Sequence, residues 1–407
     1  MMETTASVHT TTVASLSEAN RSNILQYLYH HGISSRAQIA KALGLTPAAI
    51  TKITARLIEA GALEETGDIE GRKNRRSIGL SLDATRFHVV GVKFARSLVQ
   101  IGVFDLAGAL LGLDNLPPVT DGTIGETIRD IHRRVNLLLD RDPRIVAIGM
   151  AVPGPYLREV GRIAVVSGMQ GWRKVNFITE FTHAFRVPVF VEHDARAGAL
   201  AHYLFDRESG GDLAYYLVGE GVGLGVIDHG RLFNGAIGAA TEIGHVSIDV
   251  DGRLCDCGNR GCLERYCSTP AIHAMLVEDG RVVPDAAAMS HTQACRALFA
   301  KAHDGDERAL AMVRSVGRYV GYGCVTIMNA FNPRRVVIGD IVAEAGGPML
   351  REVRRTVADR AIPELVDSTE ILLSGLDADA AVAGAAAVAV TQFLERPSLF
   401  FDVSGAS

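Results

Sequence analysis

The sequence predicts an α/β protein in which a body of two lobes follows a small helical head. The length of 407 residues allows two or three domains, and 48% hydrophobic with 21% charged residues is ordinary for a globular chain. After Asp83 the apolar pattern alternates between strands and helices, and strand–strand–helix–strand modules occur in two halves. Before Asp83, three short helix patterns precede a basic turn.

The head, residues 16–82, is predicted to be an all-α winged helix-turn-helix domain whose wing is a strand pair. Apolar residues recur at helical spacing in the first pattern, and a second helix begins at Ser35. Thr46 is a good N-cap for the third helix, and Pro47 suits its first position. Residues 1–15 are expected to be disordered.

The wing is predicted from strand patterns at residues 62–65 and 77–80, which flank a basic turn. The third helix would enter the major groove of DNA, and the wing cations would contact phosphates or the minor groove. A protein-interaction module, or a small helical domain with a solvated charge run, is the alternative. The candidate DNA-contacting residues are Arg36, Thr46, Ala48, Thr51, Lys52, Arg56, Arg72, Lys73, Arg75 and Arg76.

The charge distribution agrees weakly with a nucleic-acid module at the front. Residues 1–80 carry nine Lys and Arg against seven Asp and Glu, whereas the whole chain has a net charge of −5. Neither a signal-peptide pattern nor an apolar run of about 20 residues occurs, so we expect a cytoplasmic protein that does not span a membrane. The isolated cysteines Cys267, Cys295 and Cys324 are predicted to pack as apolar residues.

The body is predicted to form two lobes, residues 83–193 plus 378–407 and residues 194–377, with a ligand cleft between them. The elements that predict it are strands at 87–94, 99–106, 145–152, 187–192, 213–217, 223–228 and 336–338, and helices at 124–139, 194–205, 309–329 and 378–394.

A cluster of metal-ligating residue types lies between Thr241 and Glu264. His245, Cys255, Cys257 and Cys262 supply one nitrogen and three sulfurs, which is the ligand set of a closed tetrahedral zinc site. Because all four positions are filled, no place remains for a reactive water, and the predicted Zn²⁺ is structural.

The motif Glu242-x-x-His245, nine residues, Cys255-x-Cys257-x4-Cys262-Leu263-Glu264 resembles the zinc motif of the ROK family (repressors, open reading frames and kinases). Further stretches similar to family motifs are Val-Pro-Gly-Pro at 152–155, Glu-His-Asp-Ala at 192–195 and Gly-Glu-Gly-Val-Gly-Leu-Gly at 219–225. The resemblance covers nearly the whole chain. It implies an actin-like, sugar-kinase (ribonuclease H-like) fold for the body, and the winged helix in front resembles the repressor branch.

The phosphate loops depart from those of the family's kinases. Kinases of the family open the body with a strand that ends in Asp-x-Gly-Gly-Thr, whereas this chain has Lys93-Phe94-Ala95-Arg96-Ser97. In the second loop Glu220 would place a negative charge beside a triphosphate. The sequence therefore predicts that the protein is not an enzyme.

The sugar side of the cleft is better retained. The resemblance places Asp194 at the position of the kinases' catalytic base, and Glu242, His245 and Glu264 at sugar-contacting positions. His193 and Gly168 replace two asparagines of the family and are further candidate sugar contacts, although His193 could instead be a packed residue. Trp172 could stack on a sugar or fill the core.

These features predict a DNA-binding transcriptional regulator of carbohydrate metabolism genes. A repressor that binds operator DNA and a sugar or sugar-derivative effector is expected, as a homodimer or a dimer of dimers, because paired heads recognise paired half-sites. An active sugar kinase with a DNA-binding head and a repressor controlled by a protein partner are the alternatives.

Overall fold

The computed structural model describes residues 13–70, 76–95, 98–164, 170–206, 210–376 and 380–401. They form two compact units. The head unit comprises the described residues up to His88, Asp105–Ala107 and those from Val390 onward, and the body unit comprises Val89–Phe104 and Gly108–Ala389. The two-lobe boundaries stay predictions, as does disorder at the N-terminus, where residues 1–12 lie outside the described part.

The head unit contains the helix-turn-helix and its wing. A three-stranded sheet has the order β1-β3-β2, and the last two strands form the antiparallel wing. The elements are α1 (Val13–His31), β1 (Ser34–Ser35), α2 (Arg36–Leu43), α3 (Pro47–Glu59), β2 (Leu63–Glu70) and β3 (Arg76–Leu82).

Local sequence signals explain the turn between α2 and α3. Ser35 and Gln38 form a capping box at the start of α2, and Gly44 ends that helix at φ 65°. Thr46 caps α3 through the amide of Ala49, as its sequence position predicts. The apolar faces of the three helices then meet in a buried core formed by Ile24, Leu25, Leu28, Ile39, Ile50 and Leu57.

The first sheet of the body has the order β10-β7-β4-β5-β6. Its strands and the associated elements are β4 (His88–Phe94), β5 (Val99–Asp105), β6 (Leu110–Asn115), α4 (Ile124–Arg141), β7 (Ile145–Val152), the small pair β8 (Tyr156–Leu157) and β9 (Arg162–Ile163), α5 (Phe177–Phe181) and β10 (Val189–His193).

The second sheet has the order β13-β12-β11-β14-β15. Its elements are α6 (Asp194–Phe205), β11 (Leu213–Val218), β12 (Val222–Asp228), β13 (Arg231–Leu232), α7 (Glu264–Cys267), α8 (Thr269–Asp279), α9 (His291–His303), α10 (Glu307–Phe331), β14 (Arg335–Gly339), α11 (Gly346–Arg360), α12 (Pro363–Ser368), β15 (Glu370–Leu373) and α13 (Ala380–Glu395).

The two sheets share one topology. When the five strands of each sheet are numbered along the chain, both sheets have the order 3-2-1-4-5. The fourth and fifth strands pair in parallel in both sheets. The repeated module that the sequence predicts is therefore present as a repeated fold.

The helix that follows the last strand of each sheet in the chain packs on the other sheet. A Cβ added to Gly149 in β7 would lie 1.9 Å from the backbone oxygen of Ala385 in α13, and one added to Gly225 in β12 would lie 2.5 Å from that of Ala195 in α6. Glycine at these positions lets helix and sheet approach closely. This exchange brings the start of α6 next to the ends of strands from both sheets.

Each sheet has its own core. Phe94, Phe177, Phe181 and Trp172 pack together against the first sheet, and Trp172 is completely buried. The sequence left two roles open for Trp172, and the structure places it in the core. The isolated cysteines are buried as predicted, and no described helix is long and apolar enough to cross a membrane.

Candidate functional site

Lys93 and Asp194 form the centre of a polar cluster in the body unit. Lys93, near the end of β4, is only 6% exposed, and its Nζ lies 3.2 Å from Oδ2 of Asp194, the first residue of α6. Oδ1 of Asp194 accepts a 2.7 Å hydrogen bond from the amide of Ala195. Burial alone would raise the pKa of Asp194, but the neighbouring Lys93 and His193 hold it well below its usual range.

His193 lies beside Asp194. Its side chain is buried, and its Nε2 lies 3.1 Å from Oδ1 of Asp194. A Cβ on Gly154 would lie 2.2 Å from the imidazole, so glycine is required beside this ring. Burial lowers the pKa of His193, but the hydrogen bond to Asp194 and the charges of Glu242 and Glu192 outweigh it and raise the pKa.

A buried ion pair fixes the start of α6 to the neighbouring loop. Arg196 is completely buried, and its Nε donates a 2.9 Å hydrogen bond to Glu192. Its other nitrogens bind the backbone oxygen of Phe233, at 2.6 Å, and the side chain of Asn234. Burial would raise the pKa of Glu192, yet Arg196 and Arg158 hold it below its ordinary value. The sequence analysis missed this network.

Two glutamates flank the zinc motif, and the charge of one of them, Glu242, interacts with His193 and Asp194 of this cluster. Glu264 begins α7, is 8% exposed and accepts a 3.0 Å hydrogen bond from the amide of Val222. Burial raises the pKa of Glu242, and the charge of Asp194 raises it further, whereas His193 and His245 lower it. Ionised carboxylates such as Glu242 and Asp194 are hydrogen-bond acceptors and suit hydroxyl donors.

Asp340 is a further carboxylate whose charge interacts with the cluster, and the sequence analysis missed it. It follows β14 with φ 67° and ψ −166°, a conformation that is almost restricted to glycine. Its carboxylate lies against Gly219, where an added Cβ would approach it to 2.6 Å. Surrounding protein raises the pKa of Asp340; Lys93 opposes this, and Asp194 adds to it.

The four predicted metal ligands come together. The ligand atoms of His245, Cys255, Cys257 and Cys262 all lie within 4.8 Å of one another. Sγ of Cys255 is 3.7 Å from Nδ1 of His245, and the sulfurs of Cys257 and Cys262 are 3.7 Å apart. A tetrahedron with metal–sulfur bonds of about 2.3 Å has edges of about 3.8 Å, so these separations fit Zn²⁺.

The third helix presents its predicted face to solvent. Ala48, Thr51 and Lys52 of α3 are exposed. Arg36, in contrast, is held by Thr54 at 3.1 Å and by Glu65 at 2.8 Å, which ties α2 to α3 and to the wing. Thr46 is engaged as the cap of α3, and Arg56 is partly buried.

Some predicted site residues lie outside the described part of the chain. They are Gly168, Arg96, Ser97 and the wing cations Arg72, Lys73 and Arg75, and for Arg76 the structure describes the backbone but not the side chain.

The fold and the site define a class of protein. A winged helix-turn-helix with an exposed third helix precedes a duplicated α/β body with a carboxylate-rich cluster, an organisation typical of a ligand-responsive DNA-binding regulator. The profile of the ROK family matches residues 89–392, and a winged helix-turn-helix DNA-binding profile matches residues 18–64. The chain belongs to the ROK family.

Two relatives that match this chain over most of their length are named as repressors. The N-acetylglucosamine repressor of Escherichia coli O157:H7 is 30% identical over 91% of this chain and 92% of its own. The xylose repressor of Bacillus subtilis (strain 168) is 26% identical over 93% and 96%. A solved ROK family transcriptional regulator, described as a homologue of the E. coli MLC protein, superposes with a TM-score of 0.78 at 26% identity and covers 94% of this chain and 98% of that one. These similarities confirm the predicted fold and the assignment to regulators and not to enzymes.

Proposed function

We propose that the protein is a transcriptional repressor whose body binds a sugar or sugar-derivative effector beside Asp194 and thereby changes the affinity of the head for operator DNA. The observation that carries the proposal is the Lys93–Asp194 pair. Asp194 lies among glutamates that suit a polyol, while the buried ammonium of Lys93 stands where a family kinase has the aspartate of its phosphate loop. The body thus retains a sugar side without a working phosphate side.

The proposed effector contacts are Asp194, Glu242, Glu264 and the Nε2 of His245. Nδ1 of His245 faces Cys255, so the ring can bind Zn²⁺ through one nitrogen and keep the other for a hydroxyl. His193 positions Asp194 in this scheme. Zinc would hold the segment that carries the two glutamates, which preorganises the site.

The proposed DNA contacts are the exposed face of α3, with Thr51 and Lys52, and the basic turn at residues 71–76. A protein that assembles as a dimer would place two such heads on two half-sites of an operator. Because Lys52 is an exposed cation, its contribution would be a phosphate contact. Lys52→Ala would weaken DNA binding and reduce the slope of log affinity against log salt concentration by about one.

The test begins with genomic DNA selection by the full-length protein. Fluorescence anisotropy on the selected fragment then measures its affinity across a panel of monosaccharides. We expect one sugar to weaken DNA binding by a factor of about 5 to 150, the usual range of allosteric coupling, and Glu242→Ala to abolish that effect while DNA binding alone persists. If no sugar changes DNA affinity, or if sugar-dependent ADP release is found and is lost in Asp194→Asn, the proposal is wrong.

A further inference from the structure

We propose that residues 233–241 form a flap that closes against the hairpin β8–β9, and that Arg158 is the latch that keeps it closed. The flap follows β13, ends just before Glu242 and contains neither helix nor strand. Salt weakens the latch, so ionic strength sets how often the flap opens. The inference concerns a movement of the protein itself and goes beyond the proposed effector.

The latch is one side chain that joins elements of the two sheets. Arg158 lies in the turn between β8 and β9, whose residues pack in the core of the first sheet. Its Nη2 donates a 3.3 Å hydrogen bond to Oδ1 of Asn234, in the flap that follows the second sheet's β13. A Cβ added to Gly238 would lie 3.5 Å from Cβ of Arg158, so the tip of the flap also lies against this residue.

A buried ion pair forms the fixed part beneath the latch. Arg196 is completely buried and donates to Glu192 at 2.9 Å and to the backbone oxygen of Phe233 at 2.6 Å. Arg158 binds the same carboxylate of Glu192, but its side chain is 48% exposed, against 5% for Glu192. Because Glu192 keeps its buried partner, removal of Arg158 leaves no unpaired charge in the interior. Salt reaches the exposed Arg158 and not the buried pair.

The flap itself is weakly held. Among the described residues, the backbone groups of residues 235–240 form no hydrogen bond with another backbone group. Its last residue, Thr241, has a φ of 73°, which is an outlier for a β-branched side chain. Strain of this kind persists only where surrounding contacts maintain it. Release of the latch therefore lets Thr241 relax and the flap open.

An open flap alters the segment that follows it. Thr241 is fastened to β12, because its hydroxyl donates to the backbone oxygen of Leu224. When Thr241 leaves its strained conformation, the next residue, Glu242, moves relative to β12. Glu242 is one of the proposed effector contacts, so the latch would set how often that contact is in place.

The experiment measures opening of the flap in the full-length protein, purified with zinc and without ligand. Chymotrypsin at low concentration cuts after Phe233, at a rate that follows the population of the open flap. Mass spectrometry measures this rate, which is divided by that of a synthetic peptide with the same sequence. At about 0.05 M NaCl we expect Arg158→Gln to raise the rate at least about threefold, as for a partly exposed ion pair.

The same comparison at high salt tests the ionic character of the latch. At about 1 M NaCl the Debye length is about 3 Å, so the contact is already weakened in the native protein. The ratio between the rates of Arg158→Gln and the native protein should therefore fall towards one. Because both proteins are compared at the same salt concentration, the effect of salt on chymotrypsin cancels.

Two further variants separate the latch from general loosening. Arg162→Gln removes an equal charge from the exposed part of β9 in the same hairpin and should leave the rate unchanged. Asn234→Ala removes the acceptor in the flap and should raise the rate. Arg158→Gln added to Asn234→Ala should then change it by less than about 1.5-fold, because both substitutions act on one contact.

Each outcome decides the question. An unchanged rate in Arg158→Gln, or a ratio that persists at high salt, overturns the latch. An equal rise in Arg162→Gln, or a full additional rise in the double variant, does so as well. Loss of the native circular dichroism spectrum in Arg158→Gln would show that Arg158 holds the whole body and would also overturn it. Since no ligand takes part, failure of the sugar-sensing function leaves this result unaffected.

Discussion

The polar cluster has two sides, one formed by the glutamates of the zinc-motif segment and one by Lys93 and Asp340, and the two differ in the partners of their charged groups. On the proposed sugar side, Glu242 and Glu264 flank the zinc motif, and the charges of Glu242 and Asp194 interact. On the other side, Lys93 and Asp340 stand at the ends of β4 and β14, and Lys93 occupies the position where the resemblance to kinases calls for the aspartate of the phosphate loop. The carboxylates of the first side are candidate acceptors for a ligand, whereas Lys93 of the second side is paired within the protein with Asp194.

The difference lies in the side chains and not in the fold. Both sheets keep the order 3-2-1-4-5, and Lys93 and Asp340 lie at strand ends, where a new side chain alters the surface of the cleft but not the pairing of the strands. Function therefore has to be inferred from the site and not from the fold.

The largest predicted effect is loss of the metal. Cys262→Ser removes a buried ligand, and we expect the free energy of unfolding of the body to fall by about 4 kcal/mol or more, as for other structural metal sites. Elemental analysis should find one zinc per chain in the native protein and less in the variant, and urea titration measures the stability. Cys324→Ala, a buried cysteine outside the cluster, should keep its zinc. Native protein without zinc would refute the site.

The second effect concerns Asp194. Asp194→Asn leaves the buried Lys93 without its ion-pair partner, and we expect a loss of about 3 kcal/mol at pH 7. Because the folded-state pKa of Asp194 is lowered, its stabilisation is present above the unfolded pKa of about 3.9 and is lost as the pH falls through the folded value. Denaturation at pH values from 7 to 3 should show a constant gap to the native protein that begins to narrow only near and below the unfolded pKa of about 3.9. A gap that is constant over this range would contradict the ion pair.

The smallest predicted effect concerns Asp340, whose contribution to stability changes with pH in the opposite direction to that of Asp194. The folded-state pKa of Asp340 is raised, so its protonated form stabilises the fold below the unfolded pKa, and that contribution is lost as the pH rises through the folded value. Asp340→Asn should be as stable as the native protein at pH 7 or more stable, by less than about 1 kcal/mol, because part of the residue remains open to solvent, which screens its charge. The same urea titrations measure it. Destabilisation similar to that of Asp194→Asn would remove the contrast between these two carboxylates.

Local patterns were sufficient for part of this structure. The bounds of β7 and α6 agree with the sequence prediction. Both elements have local signals, since β7 is an uninterrupted apolar run and α6 begins at Asp194. The four metal ligands lie within 18 residues and could be grouped from spacing alone. Strand β6 was missed because all its residues are exposed, so it has no alternating pattern.

Contacts between distant segments could not be predicted. Whether Trp172 faces a ligand or the core depends on Phe94, 78 positions earlier in the chain, which packs against it at a ring distance of 5.3 Å. Asp340 belongs to the cluster only because β14 ends beside the loop that contains Gly219. Neither arrangement leaves a periodic or motif-like signal in the sequence.

Trp172 is the only tryptophan of the chain, and it is buried against Phe94, the residue that follows Lys93. Its fluorescence emission therefore comes from the core of the first sheet alone. The head and the second sheet contribute only tyrosine signal, which selective excitation removes. The native protein thus carries its own spectroscopic label one residue from the Lys93–Asp194 pair, and unfolding of that core can be followed separately without introducing a dye.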